Sequence, residues 1–357
     1  MAVPTARDAS ATADALGRFL THELGLAAIS VDILPSSMGT GFSSESVIFD
    51  AMVTSADGAT DQLQCVARIE PTGYGLYQAF DLESQWRVID TLWHLGSVPV
   101  PRIIAHDTTD GEWLGRPSFV MERVDGVAPA DSPPYTVRGW MVDALPAQRR
   151  QVYERGLDVL AEVHRADWRR LGLEFLLDST INPVGVERQH EHDERFLRWI
   201  AQGRELPLCE QASAWLRAHL PDDDEQALSW GDARLGNMLF RDFEPVAVLD
   251  WEMVTVSPRG ADLGWWLVFH MIHTIGIGRP SLDGIPTDDE AVAHYTRVSG
   301  HSVRDLHFYE VRAALRAALL LIRYGDHLVS TGVLAADAPR TPSTPALVVL
   351  ERLLDQG

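Results

Sequence analysis

The sequence predicts an α+β protein with two lobes, a β-rich antiparallel lobe in residues 1–123 and a mostly helical lobe in residues 124–357. In the first part, short apolar runs alternate with polar residues and are separated by turn residues, which is typical of half-buried strands. After Gly126, apolar residues recur at helical spacing over long segments. A chain of 357 residues is also long for a single core. We therefore expect two lobes with a cleft between them.

The first lobe is predicted to hold a small sheet and two helices. Residues 46–54 alternate between apolar and polar side chains, and the Asp57-Gly58 turn leads into a returning strand at 62–69. Residues 80–95 carry apolar side chains at helical spacing. The same reasoning adds one helix and three strands, at residues 11–24, 29–34, 102–106 and 117–123.

The second lobe is predicted from apolar stripes of helical period. Residues 147–164 place Val152, Leu157 and Leu160 on one stripe. Further helices are expected at residues 191–200, 209–220, 260–274 and 306–329. Two acidic runs, at 222–225 and 288–290, are interpreted as solvated surface turns. The alternative interpretation is a surface that attracts a polycationic ligand.

Composition and charge narrow the class of protein. Hydrophobic residues make up 46% of the chain, which is ample for a packed interior. A formal charge of −21 argues against nucleic acid as a partner, because phosphate backbones need basic surfaces. Residues 1–20 lack an apolar signal core, and residues 263–277 are too short to span a membrane. We therefore expect a cytoplasmic protein with no membrane partner, and the sequence leaves its oligomeric state open.

The most informative motif places three polar residues at fixed spacings. Asn237 follows Asp232 by five residues, and Asp250 follows Asn237 by thirteen. Asp-x-x-x-x-Asn is the spacing of a kinase catalytic loop. The apolar runs 238–240 and 246–249 could pair as a hairpin, which would bring Asn237 and Asp250 to the same open end and supply oxygen ligands for Mg²⁺. A turn-capping Asp and Asn are the alternative for any one pair, but they do not explain the whole set.

Five segments of the chain resemble the aminoglycoside phosphotransferase family of small-molecule kinases. They occur in consistent order within about residues 30–275, and they are Val98–Arg102, Val120–Gly126, Leu160–His164, Gly231–Asn237 and Ala247–Glu252. The branch that is most similar includes actinobacterial phosphotransferase-like proteins and kinase domains fused to acyl-CoA dehydrogenases. The resemblance implies a protein-kinase-like fold, ATP or GTP with Mg²⁺ as cofactors, and a hydroxyl of a small molecule as the phosphate acceptor.

The resemblance also implies roles for individual residues. Asp232 resembles the catalytic base, and Asn237 and Asp250 resemble the metal ligands. All 30 basic residues are arginines, so Arg68 stands where a kinase has its phosphate-pairing lysine. A guanidinium suits phosphate oxygens, although a strand arginine that extends to solvent is the alternative. Glu83, on the helix at 80–95, is the candidate partner of Arg68.

Two further segments resemble nucleotide-binding elements. One is the loop that covers the phosphates, with Gly39, Thr40, Gly41, Ser43 and Ser44 as its candidate contacts. The other is the lobe connector, in which the backbone of Met121, Glu122 and Arg123 would meet the base.

The chain departs from the family pattern beside the catalytic loop. Trp230 stands where the family often has a histidine, which is a scaffold residue there. His164 is interpreted as a core histidine and Asp262 as a brace for the loop, whereas Glu252 is interpreted as solvated or hydrogen-bonded. Arg234 could face phosphate or pair with an acid.

The leading hypothesis is a Mg²⁺-dependent kinase of a small hydroxylated molecule, with an aminoglycoside, a macrolide-like compound or a hydroxyacyl-CoA as possible acceptors. The alternative is a catalytically inactive, pseudokinase-like scaffold that binds nucleotide, which Trp230 and the missing lysine would fit. A hydrolase that uses paired carboxylates would explain neither Asn237 nor the β-rich first lobe.

Overall fold

The computed structural model describes residues 7–34, 39–40, 45–71, 75–77, 80–108, 111–178, 183–222, 225–335 and 344–356. The chain divides into two compact units. The first unit comprises residues 1–96 and 100–124, and the second comprises residues 97–99 and 125–357. Within the described ranges, no helix has both the length and the apolar character that crossing a membrane requires.

The first unit is an antiparallel sheet with two helices. Its elements are α1 (Ala9–Leu24), β1 (Ala28–Ile33), β2 (Gly39–Thr40), β3 (Glu45–Thr54), β4 (Thr60–Ile69), α2 (Leu82–Leu95), β5 (Ile103–Asp107) and β6 (Ser118–Glu122). The strand order is β1-β3-β4-β6-β5, and β2 pairs with β3. Apart from β2, which lies in the segment predicted to be a loop, these strands and helices lie within a few residues of the predicted ones.

Alternation along β3 and β4 builds the core of this unit. Phe49 on β3 and Ala67 on β4 are fully buried, and they pack with Phe19 of α1. Arg68 follows Ala67, so the two side chains leave the sheet on opposite faces. The core therefore fixes the face on which Arg68 lies.

The second unit is mostly helical. Its elements are α3 (Trp140–Asp143), α4 (Pro146–Arg165), α5 (Val186–Ala201), α6 (Pro207–Ala218), β7 (Gln226–Ser229), β8 (Met238–Arg241), β9 (Glu244–Val248), β10 (Thr255–Pro258), α7 (Gly260–Ile272), α8 (Asp288–Ser299), α9 (Leu306–Ser330) and α10 (Pro345–Leu354). The strands form two small antiparallel pairs, β8 with β9 and β7 with β10. Helix α7 is buried along most of its length and packs against α9.

One prediction for this unit is wrong. The acidic run at 288–290 is not a surface turn but the first turn of α8. Thr287 caps this helix, and its hydroxyl and the Glu290 carboxylate satisfy each other's backbone N–H groups in a capping box. Acidic side chains in the first turn stabilise the helix, because the N-terminal end of a helix carries a partial positive charge. Of the other run, Glu225 is exposed and pairs with Arg259, whereas residues 223–224 lie outside the described ranges.

Candidate active site

A tight turn after β7 begins the candidate catalytic loop. Gly231 has a φ of +87°, and a Cβ atom at this position would lie 2.2 Å from the carbonyl oxygen of Met253. Only glycine adopts this conformation without strain and leaves room for the neighbouring backbone. The turn places Asp232 directly after it, at the start of the loop.

A buried carboxylate holds this turn from behind. Asp262, in the first turn of α7, accepts hydrogen bonds from the backbone N–H groups of Trp230 and Gly231, both at 2.8 Å. Its side chain also accepts from the Ser229 hydroxyl at 2.9 Å and lies 3.0 Å from Nε2 of His164. Asp262 therefore braces the loop, and His164 is a buried histidine with hydrogen-bond partners, both as expected from the sequence.

Asp232 is a buried carboxylate surrounded by hydrogen-bond donors. Its Oδ1 atom accepts from Nε1 of Trp265 at 2.7 Å and from Nε of Arg234 at 3.0 Å. Its Oδ2 atom accepts from Nδ2 of Asn237 at 2.6 Å. Burial raises the pKa of Asp232 above its ordinary value; Arg234 opposes this shift and the Asp250 carboxylate adds to it. A carboxylate has about four acceptor positions, so this one is fixed in orientation and can still accept a proton.

The predicted hairpin is present and joins Asn237 to Asp250. Strand β8 starts directly after Asn237, and its partner β9 ends at Val248. Asp242 and Phe243 both have positive φ, which is typical of the tight two-residue turn between such strands. Leu249 donates its N–H to the carbonyl of Asn237 at 2.8 Å. Asn237 and Asp250 therefore lie at the same open end of the hairpin.

The donor atoms at this end fit a hard cation. Because the amide nitrogen of Asn237 is engaged by Asp232, its amide oxygen is the atom available to a metal. Asp250 adds a carboxylate close enough to act on the pKa of Asp232. In the described ranges, no group of three or more His, Cys, Asp or Glu side chains is arranged for a metal ion. One amide and one carboxylate suit Mg²⁺, which often takes its remaining ligands from water and from phosphate.

Trp230 lies underneath this segment. Its Nε1 atom donates to the carbonyl of Leu249 at 2.9 Å, and its ring lies 6.0 Å from that of Trp251. The indole is fully buried. Trp230 therefore supports the backbone next to Asp250.

Arg234 pairs with two acids. It bridges Asp232 and Asp131, and its guanidinium lies 5.1 Å from the ring centre of Phe269. Burial disfavours its charged form, but the two carboxylates outweigh that effect and raise the pKa of Arg234 above its ordinary value. Of the two roles considered for this residue, the structure records the pairing with acids.

In the first unit, the predicted pairing of Arg68 with Glu83 is not the arrangement that the structure records. Glu83 is half-exposed in the first turn of α2, where it accepts a hydrogen bond from Arg87 one turn along the same helix. Nη1 of Arg68 lies 3.4 Å from the Ser46 hydroxyl, on the neighbouring strand. The i,i+4 geometry explains the difference, because it brings Glu83 and Arg87 together at little conformational cost.

The candidate nucleotide loop is described in part. Gly39 and Thr40 form β2 and pair with Ser46 and Glu45 of β3. The other three candidate contacts, Gly41, Ser43 and Ser44, lie outside the described residues.

The candidate connector has two of its backbone donors engaged. Glu122 donates its N–H to the carbonyl of Arg102 at 2.9 Å, and Arg123 donates to the carbonyl of Gln64 at 2.8 Å. The Arg123 side chain forms an ion pair with Asp50 at 2.9 Å. Met121, on β6, pairs with residues of both neighbouring strands, β4 and β5. These two N–H groups are therefore already engaged. A nucleotide base that contacts this segment would hydrogen-bond to its backbone carbonyl groups or to the residue that follows it.

Sequence reasoning missed two residues that contact the site. Trp265 lies three residues after Asp262 on α7, so helical spacing could have placed it on the side of the loop. Nothing in the sequence separates it from its core neighbour Trp266. Asp131 precedes a Pro-rich stretch that reads as a linker, and only the tertiary structure brings it to Arg234.

The comparisons with known proteins agree with this geometry. A family model described as “Phosphotransferase enzyme family” matches residues 53–300. The chain therefore belongs to the phosphotransferase enzyme family, which confirms the resemblance seen in the sequence and the predicted class of enzyme.

Solved structures confirm the predicted α+β, protein-kinase-like fold. The crystal structure of a candidate aminoglycoside phosphotransferase from Ralstonia eutropha has a TM-score of 0.69 at 22% identity, and the match covers 96% of this chain and 98% of that one. A macrolide 2′-phosphotransferase from Brachybacterium faecium has a TM-score of 0.52 at 18% identity, with 94% and 98% covered. At these identities the likeness shows the fold alone.

Curated relatives extend well beyond the matched region. Human acyl-CoA dehydrogenase family member 11 is 30% identical over 243 residues, which is 66% of this chain and 30% of the relative. Mouse acyl-CoA dehydrogenase family member 10 is 28% identical over 274 residues, which is 72% of this chain and 24% of the relative. The chain thus spans less than a third of the length of these relatives.

Proposed function

We propose that this protein transfers the γ-phosphate of ATP or GTP, in the presence of Mg²⁺, to a hydroxyl group of a small molecule. The observation that carries the proposal is the contact between Asp232 and Asn237 at the open end of the hairpin that also presents Asp250. Phosphoryl transfer needs a group that orients a hydroxyl and oxygen ligands for the cation that accompanies the nucleotide. These residues supply both within one loop and one hairpin.

The proposed reaction uses the chain's residues in separate roles. The acceptor oxygen forms a bond to the γ-phosphorus while the bond to the bridging oxygen of the nucleotide breaks, and the hydroxyl proton passes to Asp232. Asn237 and Asp250 would hold Mg²⁺, which when bound neutralises charge on the phosphates. Arg68 would pair with the phosphates that are not transferred. Buried and hydrogen-bonded, Asp232 is held in the orientation that proton acceptance requires.

The relatives suggest several classes of compound as the phosphate acceptor. Proteins of this fold include an aminoglycoside-3′-phosphotransferase, a macrolide 2′-phosphotransferase and a complex with AMP-PNP and hygromycin B. The sequence relatives bear the names of acyl-CoA dehydrogenases. We therefore propose aminoglycosides, macrolide-like compounds and hydroxyacyl-CoA thioesters as the first acceptors to test, with ATP and GTP tested separately.

A nucleotide-consumption screen against these acceptors tests the proposal. We expect Asp232→Asn and Asp250→Asn each to lower turnover by about a thousandfold or more, because transfer depends on positioning and charge neutralisation. Asp14→Asn, an exposed acid on α1, is the matched control and should retain wild-type turnover. Near-normal turnover in either site variant would contradict the proposal.

The second candidate is a scaffold that binds nucleotide without transferring phosphate. The absence of lysine from the chain favours it. The burial of Trp230 under Leu249 weakens the other argument for it, since this tryptophan has a supporting role. Stabilisation by Mg-ATP with no turnover on any hydroxyl compound would favour the scaffold.

A further inference from the structure

The guanidinium group of Arg234 lies between two carboxylates, one of which belongs to the candidate base. Its Nε atom donates to Oδ1 of Asp232 at 3.0 Å, and its Nη1 atom donates to Oδ2 of Asp131. Arginine has five N–H donors in one plane, so a single side chain can hold both acids. Asp131 lies 103 residues before Arg234 in the sequence, so the tertiary structure brings it to the loop.

The pair formed by Asp131 and Arg234 lies directly against the backbone of the catalytic loop. A Cβ atom on Gly236 would lie 2.5 Å from Oδ1 of Asp131 and 2.7 Å from Nη1 of Arg234. A side chain at this position would therefore push the two groups apart. Gly236 comes directly before Asn237, so the pair touches the loop between the candidate base and a proposed metal ligand.

One face of helix α7, together with its C-terminal cap, contacts both the loop and this pair. The contacts come from four residues spaced three or four positions apart, namely Asp262, Trp265, Phe269 and His273. The guanidinium carbon of Arg234 lies 5.1 Å from the ring centre of Phe269, and Nε2 of His273 lies 3.7 Å from Oδ1 of Asp131. A single helix therefore contacts Asp232, Arg234 and Asp131 in turn.

The segment that carries Asp131 is attached to the C-terminal end of α7. The Tyr135 hydroxyl lies 2.7 Å from Nδ1 of His270, and the Thr136 hydroxyl donates to the carbonyl of His273. Tyr135 and Thr136 are both buried. The side chain of Asp131 is 38% exposed, so Asp131 is a surface acid on an anchored backbone.

The position of Arg234 matters because it decides how the candidate base is hydrogen-bonded. The recorded bond from Arg234 to Asp232 joins Nε to Oδ1, while Oδ2 accepts from Asn237 at 2.6 Å. Arginine and a carboxylate favour a fork of two parallel hydrogen bonds. A guanidinium group released from Asp131 would be able to form that fork with Asp232 and to compete with Asn237 for Oδ2. The contact with Asp131 opposes this rearrangement.

We propose that Asp131 is a positioning residue, which acts through Arg234 to hold the Asp232 carboxylate in the orientation that accepts the proton of a hydroxyl. The inference rests on the proposed function for the reaction, whereas the orientation of Asp232 is a property of the folded chain alone. The alternative is a purely structural pair that only holds residues 131–136 against the loop. Removal of Asp131 would then change stability and leave both kcat and the surroundings of Asp232 intact.

A double-mutant cycle on kcat tests whether Asp131 acts through Arg234. The variants are Asp131→Ala, Arg234→Gln and the two together, assayed with the acceptor found in the nucleotide-consumption screen. We expect Asp131→Ala to lower kcat by about tenfold and to leave the KM for nucleotide nearly unchanged. In the Arg234→Gln background, the same change should alter kcat by less than about twofold, because the residue that transmits the effect is gone. An equal loss in both backgrounds overturns the proposal.

Two further variants support the cycle. Asp143→Ala removes an exposed acid of α3 and should keep the wild-type kcat. Arg234→Met takes the place of Arg234→Gln if the glutamine variant does not fold, since methionine fills similar space without the charge, and the same comparison then applies.

The indole N–H of Trp265 reports the orientation of Asp232 without any turnover. It donates to Oδ1 of Asp232 at 2.7 Å, and its signal in a proton–nitrogen correlation spectrum is assigned by its loss in Trp265→Phe. We expect Asp131→Ala to shift this signal by more than its linewidth in the wild-type background and not in the Arg234→Gln background. The signal of Trp86, whose indole donates to the Thr108 hydroxyl in the first unit, should not move. An unmoved Trp265 signal in Asp131→Ala overturns the proposal.

The two measurements separate this inference from the proposed function. If the wild-type protein phosphorylates none of the acceptors while the Trp265 signal moves only where Arg234 is present, phosphoryl transfer is contradicted and the positioning of Asp232 by Asp131 is supported. If the wild-type protein does transfer phosphate and Asp131→Ala has the same kcat, the transfer function is supported and the role of Asp131 is overturned.

Discussion

At the scale of single residues, the site depends on how one carboxylate is oriented. Asp232 receives three hydrogen bonds, and the donors come from the loop itself and from α7. The motif predicted Asp232 and Asn237 because their spacing is local. It could not predict Trp265, because a buried tryptophan on an apolar helix reads as core, and its contact with Asp232 spans 33 residues of sequence.

Removal of the indole N–H should therefore lower the rate without abolishing it. We expect Trp265→Phe to reduce kcat by about tenfold, since Asp232 keeps its charge but loses one of the groups that hold its orientation. The KM for nucleotide should stay nearly constant in steady-state measurements. Trp266→Phe removes an indole N–H from the same helix without touching Asp232, so it is the matched control. An unchanged kcat for Trp265→Phe would show that Arg234 and Asn237 suffice.

Arg68 and Glu83 provide a second test at this scale. If Arg68 pairs with phosphate, Arg68→Met should raise the KM for nucleotide by about tenfold or more, and Arg68→Lys should restore part of the loss because it keeps the charge. Glu83→Gln should have little effect, since Glu83 is half-exposed and pairs with Arg87. Initial rates at varied nucleotide concentration decide both points. A large defect in Glu83→Gln would instead support the pairing with Arg68 inferred from the sequence.

At the scale of elements, local patterns predicted the long segments and missed the short or atypical ones. Strand β3 shows strict alternation, and α4 carries a regular apolar stripe, so both were predicted within a few residues. Strands β7 and β10 have four residues each and are mostly buried, which leaves no alternation to detect. Helix α8 is not among the predicted helices, because the acidic residues at its start are also typical of surface turns. Thr287 and Glu290 nevertheless have the spacing of a capping box.

Helices α5 and α9 are linked by the ion pairs of Asp193 with Arg312 and Arg316. We expect this link to contribute measurably to the stability of the protein. Burial alone would raise the pKa of Asp193, but Arg312 and Arg316 outweigh it and lower this pKa well below its ordinary range. Removal of one partner of a buried pair leaves uncompensated charge, so Asp193→Asn should lower the free energy of unfolding by about 3 to 5 kcal/mol near neutral pH. Urea denaturation measures the difference.

The pH dependence of this loss has a definite sign. Because the folded pKa of Asp193 is depressed, its contribution is present above the unfolded pKa of about 4 and is lost as the pH falls towards the folded value. The gap between wild type and Asp193→Asn should therefore narrow below about pH 4. Glu194→Gln, which removes the neighbouring and more exposed acid paired with Arg217, should cost about 1 kcal/mol or less. A gap that stays constant with pH would show that the loss is not electrostatic.

At the scale of the whole molecule, the order of strands, helices and motifs along the chain was enough to predict the fold. Family membership confirms the class of enzyme that the Asp232 motif indicated. The sequence did not predict the acceptor, because the side chains that line a pocket converge from distant segments of the chain. Gln189, Trp265 and Arg312 line one pocket although more than 100 residues separate the first from the last.

A nucleotide that binds only the folded protein would raise its melting temperature. Thermal unfolding can therefore detect nucleotide binding without knowledge of the acceptor. A ligand that binds only the native state at a hundredfold excess over Kd adds about 2.7 kcal/mol to stability, which corresponds to a rise in Tm of about 3 to 5 °C. We expect Mg-ATP or Mg-GTP to produce such a rise, and a chelator such as EDTA to remove most of it.

Variants at a proposed metal ligand and at a control site test whether the rise in Tm depends on the metal site. Asp250→Asn should lose the Mg²⁺-dependent part of the rise in Tm because it removes the carboxylate ligand, whereas Asp14→Asn should keep it. A rise that is the same with and without Mg²⁺ would contradict the role of Asn237 and Asp250. A Mg²⁺-dependent rise in a protein that consumes no nucleotide with any acceptor would retain the metal site and reassign the molecule to the scaffold class.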